Sequence, residues 1–421
     1  MTVPSSLGFQ GEPPLTRILC PLCSSIDVTP FFSRKQVPVL TNLLLEHQEA
    51  ARQIQRGTIH LTVCQQCGFV FNRAFESASL YNDHYDNSQA SAPSFVRYLD
   101  GRIHQILLAK PLRGGCVVEV GCGDGFFLRR LLEADIDAIG YGFDPSYRGP
   151  LSALDGRLHF QPCYYDEQCC EISADILVCR HVIEHIPQPL LFLTMIRRTL
   201  AHSPHAHVFF ETPTIEWIFQ NQVFWDIYYE HCSYFAAHTI TLALELAGFR
   251  VERIEHIFGG QYLWIEASVA QSEPSSACPV LHPGSLPTLA AQFERAALLR
   301  AALWQSTIQT LRQEGPVALL GAAGKGVTLA NLLDPTGELI SCVVDVNPHK
   351  HHKYLPGTGH PIVPYEALRA RGVTSALLLN PNYLEDARAF LRAHHLSVRL
   401  VTEQEYALSA LEAGGVQREI A

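Results

Sequence analysis

No stretch of this 421-residue chain approaches the ~18 consecutive apolar residues that a membrane-crossing helix requires. No transmembrane segment is therefore expected. The opening Met1-Thr2-Val3-Pro4-Ser5-Ser6 has neither a basic region nor an apolar run, so no export signal is expected and the setting should be cytoplasmic. Positive charge is not in excess either. Lys and Arg total 31 against 41 Asp and Glu, a formal net charge of -10. Such a chain is a poor partner for the phosphates of nucleic acid. A disulfide framework is also missing, because the 13 cysteines are odd in number and scattered. That usage suits reduced thiols plus a metal site. No dimerisation stripe is visible, so a monomer is expected. What remains is 47% hydrophobic and 17% charged, an ordinary globular balance with length for roughly two to four domains.

The most informative stretch is Val117-Val118-Glu119-Val120-Gly121-Cys122-Gly123-Asp124-Gly125-Phe126-Phe127-Leu128. Cys116 to Val120 is a short β-branched run that reads as a buried strand. Three glycines at alternate positions follow, and Phe126 to Ala134 then has helical spacing. Strand, glycine loop and helix hold a nucleoside at the carboxyl edge of a parallel sheet. The glycines let backbone approach the ligand and take positive φ. Glu119 would repel a pyrophosphate but suits a cationic ligand. A second strand, Ile139 to Phe143, ends in Asp144, placed to accept from ribose hydroxyls. E-x-G-x-G-x-G followed by this acid resembles the class I S-adenosylmethionine (SAM) methyltransferases. The alternatives are a nicotinamide dehydrogenase and a structural glycine turn.

Further strands are expected at Ala174–Val178 and Ala206–Glu211, a helix at Pro189–Leu200, and an antiparallel hairpin at Val251–Ile257 and Tyr262–Val269 turning at Gly259-Gly260. The βα alternation predicts a doubly wound parallel sheet. After the fourth strand comes Arg180-His181-Val182-Ile183-Glu184-His185. Its H-x-x-E-H pattern matches an inverted zinc-protease motif, but no third-ligand region accompanies it. In a methyltransferase, the segment from Arg180 and His181 lines the SAM pocket and His185 faces the substrate. A plain helix-capping histidine is the other possibility. Trp225 to Phe235 packs Tyr228, Tyr229, Glu230 and His231 together, a density of titratable groups that suggests a site.

Cys20-Pro21-Leu22-Cys23 and Cys64-Gln65-Gln66-Cys67 share the C-x-x-C spacing. Four thiolates make a closed tetrahedral zinc site, which is structural. Two unrelated redox or core pairs would be the alternative. Asn72 to Ala92, with Tyr81, His84, Tyr85, Asn87 and Ser88, is either a polar active-site approach or a linker. Ser272 to Pro287 reads as a linker. Beyond it a helix (Thr288–Leu311), a strand (Val317–Leu320), the loop Gly321-Ala322-Ala323-Gly324-Lys325-Gly326, a helix (Val327–Leu333) and a strand (Cys342–Val346) predict a second Rossmann-like unit. Lys325 beside a helix amino terminus would suit a diphosphate. The glycine spacing fits neither a Walker A loop nor the dinucleotide fingerprint.

In order, these pieces resemble the three-domain SAM-dependent C-methyltransferases of deoxysugar biosynthesis. The resemblance covers nearly the whole chain and rests on the paired C-x-x-C, E-V-G-C-G-D-G, Y-Y-E-H-C-S-Y-F, G-A-A-G-K-G, V-V-D-V-N-P-H-K and L-P-G-T segments. It implies an α/β protein: a zinc-binding domain at 15–90, a SAM domain at 91–271, and a Rossmann-like substrate-binding domain at 288–415. The implied cofactors are SAM, at Glu119, Gly121, Cys122, Gly123, Gly125, Asp144, Arg180 and His181, and structural zinc at Cys20, Cys23, Cys64 and Cys67. The implied reaction is methylation of a carbon beside the ketone of a thymidine-diphosphate sugar. His231 would be the base, with Glu230 orienting it, and His185 or Tyr228 would donate to the enolate oxygen. A tyrosine ahead of the SAM domain, Tyr81 or Tyr85, also maps to the site, and Tyr85 is the better match. Where the family has a second aromatic, this chain reads Tyr85-Asp86-Asn87-Ser88. Two rival functions remain: an O-methyltransferase, with His231 deprotonating a hydroxyl, and a non-catalytic SAM-binding scaffold, which the Tyr-Glu-His cluster disfavours.

Overall fold

The computed structural model describes residues 18–76, 85, 86, 88, 90–270 and 281–402, with the side chain of residue 170 left out. Three sheets organise them. The central one has eight strands, in the order Phe249–Ile257, Tyr262–Val269, His207–Pro213, Ile176–Arg180, Cys116–Val120, Ile139–Phe143, Leu158–Gln161 and Ser152–Ala153. Its inner five strands, from His207–Pro213 to Leu158–Gln161, pair in parallel. The hairpin and the Ser152–Ala153 strand close the two edges antiparallel. This is the class I methyltransferase arrangement. The strands are continuous apolar runs because helices cover both faces. Val117, Val118, Ile176, Leu177 and Val178 are fully buried.

The fourth strand differs from the sequence expectation: it is Ile176–Arg180, not Ala174–Val178. Arg180 therefore ends the strand rather than following it. Likewise the fifth strand is His207–Pro213, which puts Glu211 inside the ladder.

The carboxyl-terminal sheet has five parallel strands, Ile362–Val363, Ile340–Val344, Val317–Leu320, Ser375–Leu378 and Arg399–Thr402. A helix, Leu286–Glu314, leads into it. It begins within the proline-rich stretch, with Pro287 in its first turn, where a missing N–H is tolerated. Trp304 from this helix meets Trp225 of the central unit at 5.8 Å between ring centroids, edge to face. Both side chains are fully buried, and each contributes on the order of 3 kcal/mol of apolar burial.

The amino-terminal module holds features that the spacing did not reveal. Val28–Pro38 and Arg56–Cys64 form a long antiparallel pair, with register breaks between Pro30 and Phe32 and between Arg34 and Val37. Those breaks spoil the alternation by which a strand is recognised. Val70–Asn72 continues the sheet, and its last strand is Ser233–Tyr234, which follows His231 in the central unit. A short helix, Gln48–Arg52, lies between the cysteine pairs.

A loop at Tyr354–Ile362 joins the carboxyl-terminal unit to this module. Tyr354 N–H donates to Leu45 O at 2.9 Å and Gly357 N–H to Ala51 O at 2.7 Å. Arg56 donates to Gly357 O at 2.8 Å. Behind the loop, His360 Nε2 lies 2.9 Å from Asp334 Oδ2, and Thr358 Oγ1 lies 2.6 Å from His360 Nδ1. The three resemble a hydrolase triad, yet all are buried. Asp334 also accepts the amides of Glu338, Leu339 and Ile340, so the group is structural. Among the described residues no helix is long and apolar enough to cross a membrane.

Candidate active site

A single cleft draws its walls from all three modules. Thr41, Asn42 and Tyr85 come from the amino-terminal side, His181, Glu184, His185, Asp226, Tyr228, Glu230 and His231 from the centre, and Gly324, Lys325, Asp345 and Lys350 from the carboxyl-terminal unit. Two segments distant in sequence meet at its base. Cys232 N–H donates to Glu184 O at 2.9 Å, and Ser233 Oγ to Ile186 O at 2.6 Å. This brings the rings of His185 and His231 to 4.9 Å, with Tyr228 at 4.5 Å from His231.

His231 is 9% exposed, and its Nδ1 is buried with no hydrogen-bond partner. Burial, with the neighbouring His185, His181 and Lys325, holds its pKa well below the ordinary imidazole value. The ring is thus neutral at pH 7. Glu230 does not reach it. The Thr41 amide and hydroxyl each donate to Glu230 Oε1 at 2.6 Å, and Tyr85 donates to Oε2 at 2.8 Å. The carboxylate therefore ties the catalytic segment to the amino-terminal module. Ser88 continues this strap by donating to Asp124 of the glycine loop at 2.8 Å. Tyr81, the other candidate tyrosine, lies outside the described residues.

The H-x-x-E-H residues do not lie on one α-helix as a protease motif does: only Ile183–His185 form a single 3-10 turn, and Glu184 and His185 come together with His231, their ligand atoms within 4.8 Å of one another. His181 is in the left-handed region, φ 53°, and turns its ring to Glu211 Oε1 at 3.0 Å and Glu184 Oε1 at 3.4 Å. Arg180 pairs with Glu211 Oε2 at 2.7 Å and lies 4.4 Å over the Phe127 ring. Tyr98 donates to Glu211 Oε1 at 2.6 Å. Glu211 is the buried hub of this network, and sequence reasoning missed it. Its one signal was an acid at the end of an apolar strand, beside the strand bearing Arg180.

In the glycine loop, Gly121, Gly123 and Gly125 have φ of 74°, 55° and 78°, values that favour glycine. A Cβ on Gly121 would come within 2.2 Å of Val182 Cγ2, whereas nothing lies within 4 Å of one on Gly123. Gly123 N–H donates to Asp144 Oδ2 at 2.9 Å. Glu119 Oε2 is buried without a partner, and burial pushes the Glu119 carboxyl up to about 8, with Asp124 and Asp144 adding to the rise and Arg180 opposing it.

The sequence profile of a methyltransferase domain matches residues 92–254. That of a C-methyltransferase C-terminal domain matches residues 285–396. The chain is a SAM-dependent methyltransferase whose carboxyl-terminal domain matches that of the C-methyltransferases. It is 24% identical over 390 residues to the C-methyltransferase NovU of Streptomyces niveus, covering 86% of this chain and 90% of that one. It is 29% identical over 113 residues to a ubiquinone biosynthesis O-methyltransferase of Aliivibrio fischeri, covering 25% of this chain and 46% of that relative. Human N-acetylserotonin methyltransferase, solved with SAM, aligns with a TM-score of 0.34 at 16% identity, over 42% of this chain and 54% of that one.

In this methyltransferase the helix after the second glycine loop starts earlier than expected: Gly324, Lys325 and Gly326 form the first turn of Gly324–Leu333. The Lys325 ammonium is paired with Asp226. The four sequence-selected cysteines do converge. Their sulfurs lie within 4.8 Å of one another, with Cys20–Cys67 at 3.7 Å and Cys23–Cys64 at 3.5 Å.

A pH effect follows from the Glu211 network. Burial disfavours the charged His181 ring, but Glu211 and Glu184 outweigh it and raise its pKa to about 9. A raised folded-state pKa stabilises fully below the unfolded value of 6.5 and is lost as pH rises through about 9. The wild-type melting temperature should therefore fall across that window more than that of His181→Gln. Parallel curves for the two proteins would refute the assignment.

Proposed function

We propose that this methyltransferase methylates a carbon beside the ketone of a nucleotide-linked sugar, with His231 as the base. The observation that carries this reading is the neutral, buried His231 ring, its Nδ1 unpartnered, facing His185 in a cleft walled by three modules. A carbon becomes nucleophilic only once a proton leaves it, and an adjacent ketone allows this because the charge moves to oxygen. His231 takes that proton. The Tyr228 hydroxyl already donates to Asp226, which leaves His185 as the donor to the developing enolate oxygen. Glu230 acts at one remove, holding Tyr85 and Thr41 against the cleft.

The cofactor fits the glycine-loop edge of the central sheet. Glu119 offers an orphaned carboxyl oxygen that a bound cation would draw into its ionised form, Gly123 leaves open space, and Asp144 would accept from ribose hydroxyls. Cys122 and Gly125 complete the loop, and Arg180 and His181 flank it. SAM, when bound, supplies the electrophilic methyl group. The protein's part is to align the acceptor and exclude water.

The cysteine cluster fits zinc. Four ligands at ~2.3 Å from a tetrahedral ion stand about 3.8 Å apart, near the observed 3.7 and 3.5 Å and far from a disulfide's ~2.05 Å.

Calorimetric titration with S-adenosylhomocysteine, followed by a panel of nucleotide sugars, tests the reading. The expected result is cofactor binding and then a thymidine-diphosphate sugar response that depends on it. Turnover of a ¹³C-methyl donor should place the label at a C–CH₃ carbon shift. An O–CH₃ shift would move the assignment to hydroxyl methylation. Cofactor binding with no sugar response would remove the nucleotide sugar as acceptor.

A further inference from the structure

We propose that the glycine loop of the carboxyl-terminal unit is a positioning element for methyl transfer: Gly324 seats the Tyr228 ring, and Lys325, through Asp226, sets the direction of the Tyr228 hydroxyl. In consequence Tyr228 meets the methyl acceptor as a hydrogen-bond acceptor, not as a donor. The proposal rests on the reading of the cleft given above.

Three observations carry it. A Cβ on Gly324 would lie 2.8 Å from Tyr228 Cζ and 3.0 Å from Cε1. Gly324 is helical, so glycine is required here for space and not for an unusual φ. The residue brings its backbone against the tyrosine as a phosphate loop would bring it against a ligand.

Second, Lys325 Nζ pairs with Asp226 Oδ2, and Tyr228 donates to Asp226 Oδ1. The Lys325 and Asp226 side chains are only 17% and 9% exposed. Lys325 also stands 5.3 Å over the Trp217 ring. A carboxylate paired with an ammonium can only accept. The proton between Asp226 and Tyr228 must therefore be the tyrosine's. Burial, with Asp226, raises the Tyr228 pKa well above the phenol range, so the hydroxyl does not ionise. Its remaining capacity toward the cleft is lone pairs.

Third, the Tyr228 ring is 4.5 Å from that of His231. A shift of Tyr228 therefore moves a wall of the base's surroundings. The acceptor group that meets Tyr228 must carry an O–H or N–H, and the enolate oxygen must lie elsewhere, toward His185. A carbonyl flanked by a hydroxyl-bearing carbon has both features.

The test uses the full chain and the variants Gly324→Ala, Lys325→Met and Lys325→Arg. One arm needs no substrate. Protein labelled with 3-fluorotyrosine gives a ¹⁹F resonance for residue 228, identified by its absence in Tyr228→Phe. That resonance should shift in Gly324→Ala and Lys325→Met and return near its wild-type position in Lys325→Arg, where the charge is kept. The second arm is turnover of a thymidine-diphosphate 4-keto sugar. There kcat should fall by about 100-fold in Gly324→Ala and Lys325→Met, the scale of a misplaced reacting group. S-adenosylhomocysteine affinity should be unchanged, with activity rescued in Lys325→Arg. An unmoved resonance, or a kcat loss matched by lost cofactor binding, would overturn the proposal. If wild-type protein does not turn over the sugar but the resonance shifts as stated, the acceptor assignment fails and the positioning role stands.

Discussion

His231→Ala is expected to abolish methyl transfer while S-adenosylhomocysteine still binds. A positioned base contributes about 10²–10⁴-fold, and alanine leaves no group that accepts a proton at that point. Its neighbours do not replace it. Glu230 is held by Thr41 and Tyr85, and the Tyr228 proton is directed to Asp226. The wild-type pH profile supplies a second check. A base must be unprotonated to act, and the His231 pKa lies well below the ordinary value of 6.5 because of burial and the nearby cationic groups. Activity should therefore persist as pH falls through 6.5, with no acid limb there. His231→Gln, closer to histidine in size, separates loss of the base from loss of packing. Retained turnover in both variants, with cofactor affinity intact, would move the base to another residue.

Cys64→Ser should have the second large effect. Cys64 is fully buried and ends the long strand Arg56–Cys64. Structural zinc in small modules contributes an apparent ~10–16 kcal/mol of folding free energy, comparable to the ~5–15 kcal/mol that holds a typical domain. The variant should lose its metal by elemental analysis and lose amide protection across Arg56–Cys64. The damage should reach the cleft. Thr41 and Asn42 belong to this module, and Ser233–Tyr234 pairs with Val70–Asn72, so turnover should fall as well. A metal-free variant with undiminished exchange protection would show that the four thiols need no ion.

Several features were legible before any coordinates because local chemistry determines them. A β-branched run followed by alternate glycines can hardly avoid being a strand and a ligand loop, and Cys116–Val120 and Phe126–Glu133 lie as expected. The C-x-x-C pairs selected four thiols that do come together. The hairpin turn at Gly259-Gly260 follows from glycine's access to positive φ. Where spacing misled, a non-local contact had prevailed. Lys325 could be read only against its glycines and the helix start, which say nothing of its ion-pair partner. The nearby Asp226, some hundred residues earlier in sequence, claims its charge. Glu230 beside His231 looked like an orienting acid, but it sits in a turn and its carboxylate is taken by other donors. Its partners, Thr41 and Tyr85, are far away in sequence. The strand Val28–Pro38 was hidden by its register breaks.

The sequence by itself determined the strand, glycine loop and helix at Cys116–Glu133 and the four cysteines that converge, each encoded in residues a few positions apart. Only the tertiary structure decided which side chains share the cleft: His185 with His231, Glu211 between Arg180 and His181, and Gly324 beneath Tyr228. The physical reason is that these groups meet through sheet pairing and burial across long sequence separations. In that setting a charge is stable only beside the partner that the whole fold brings to it.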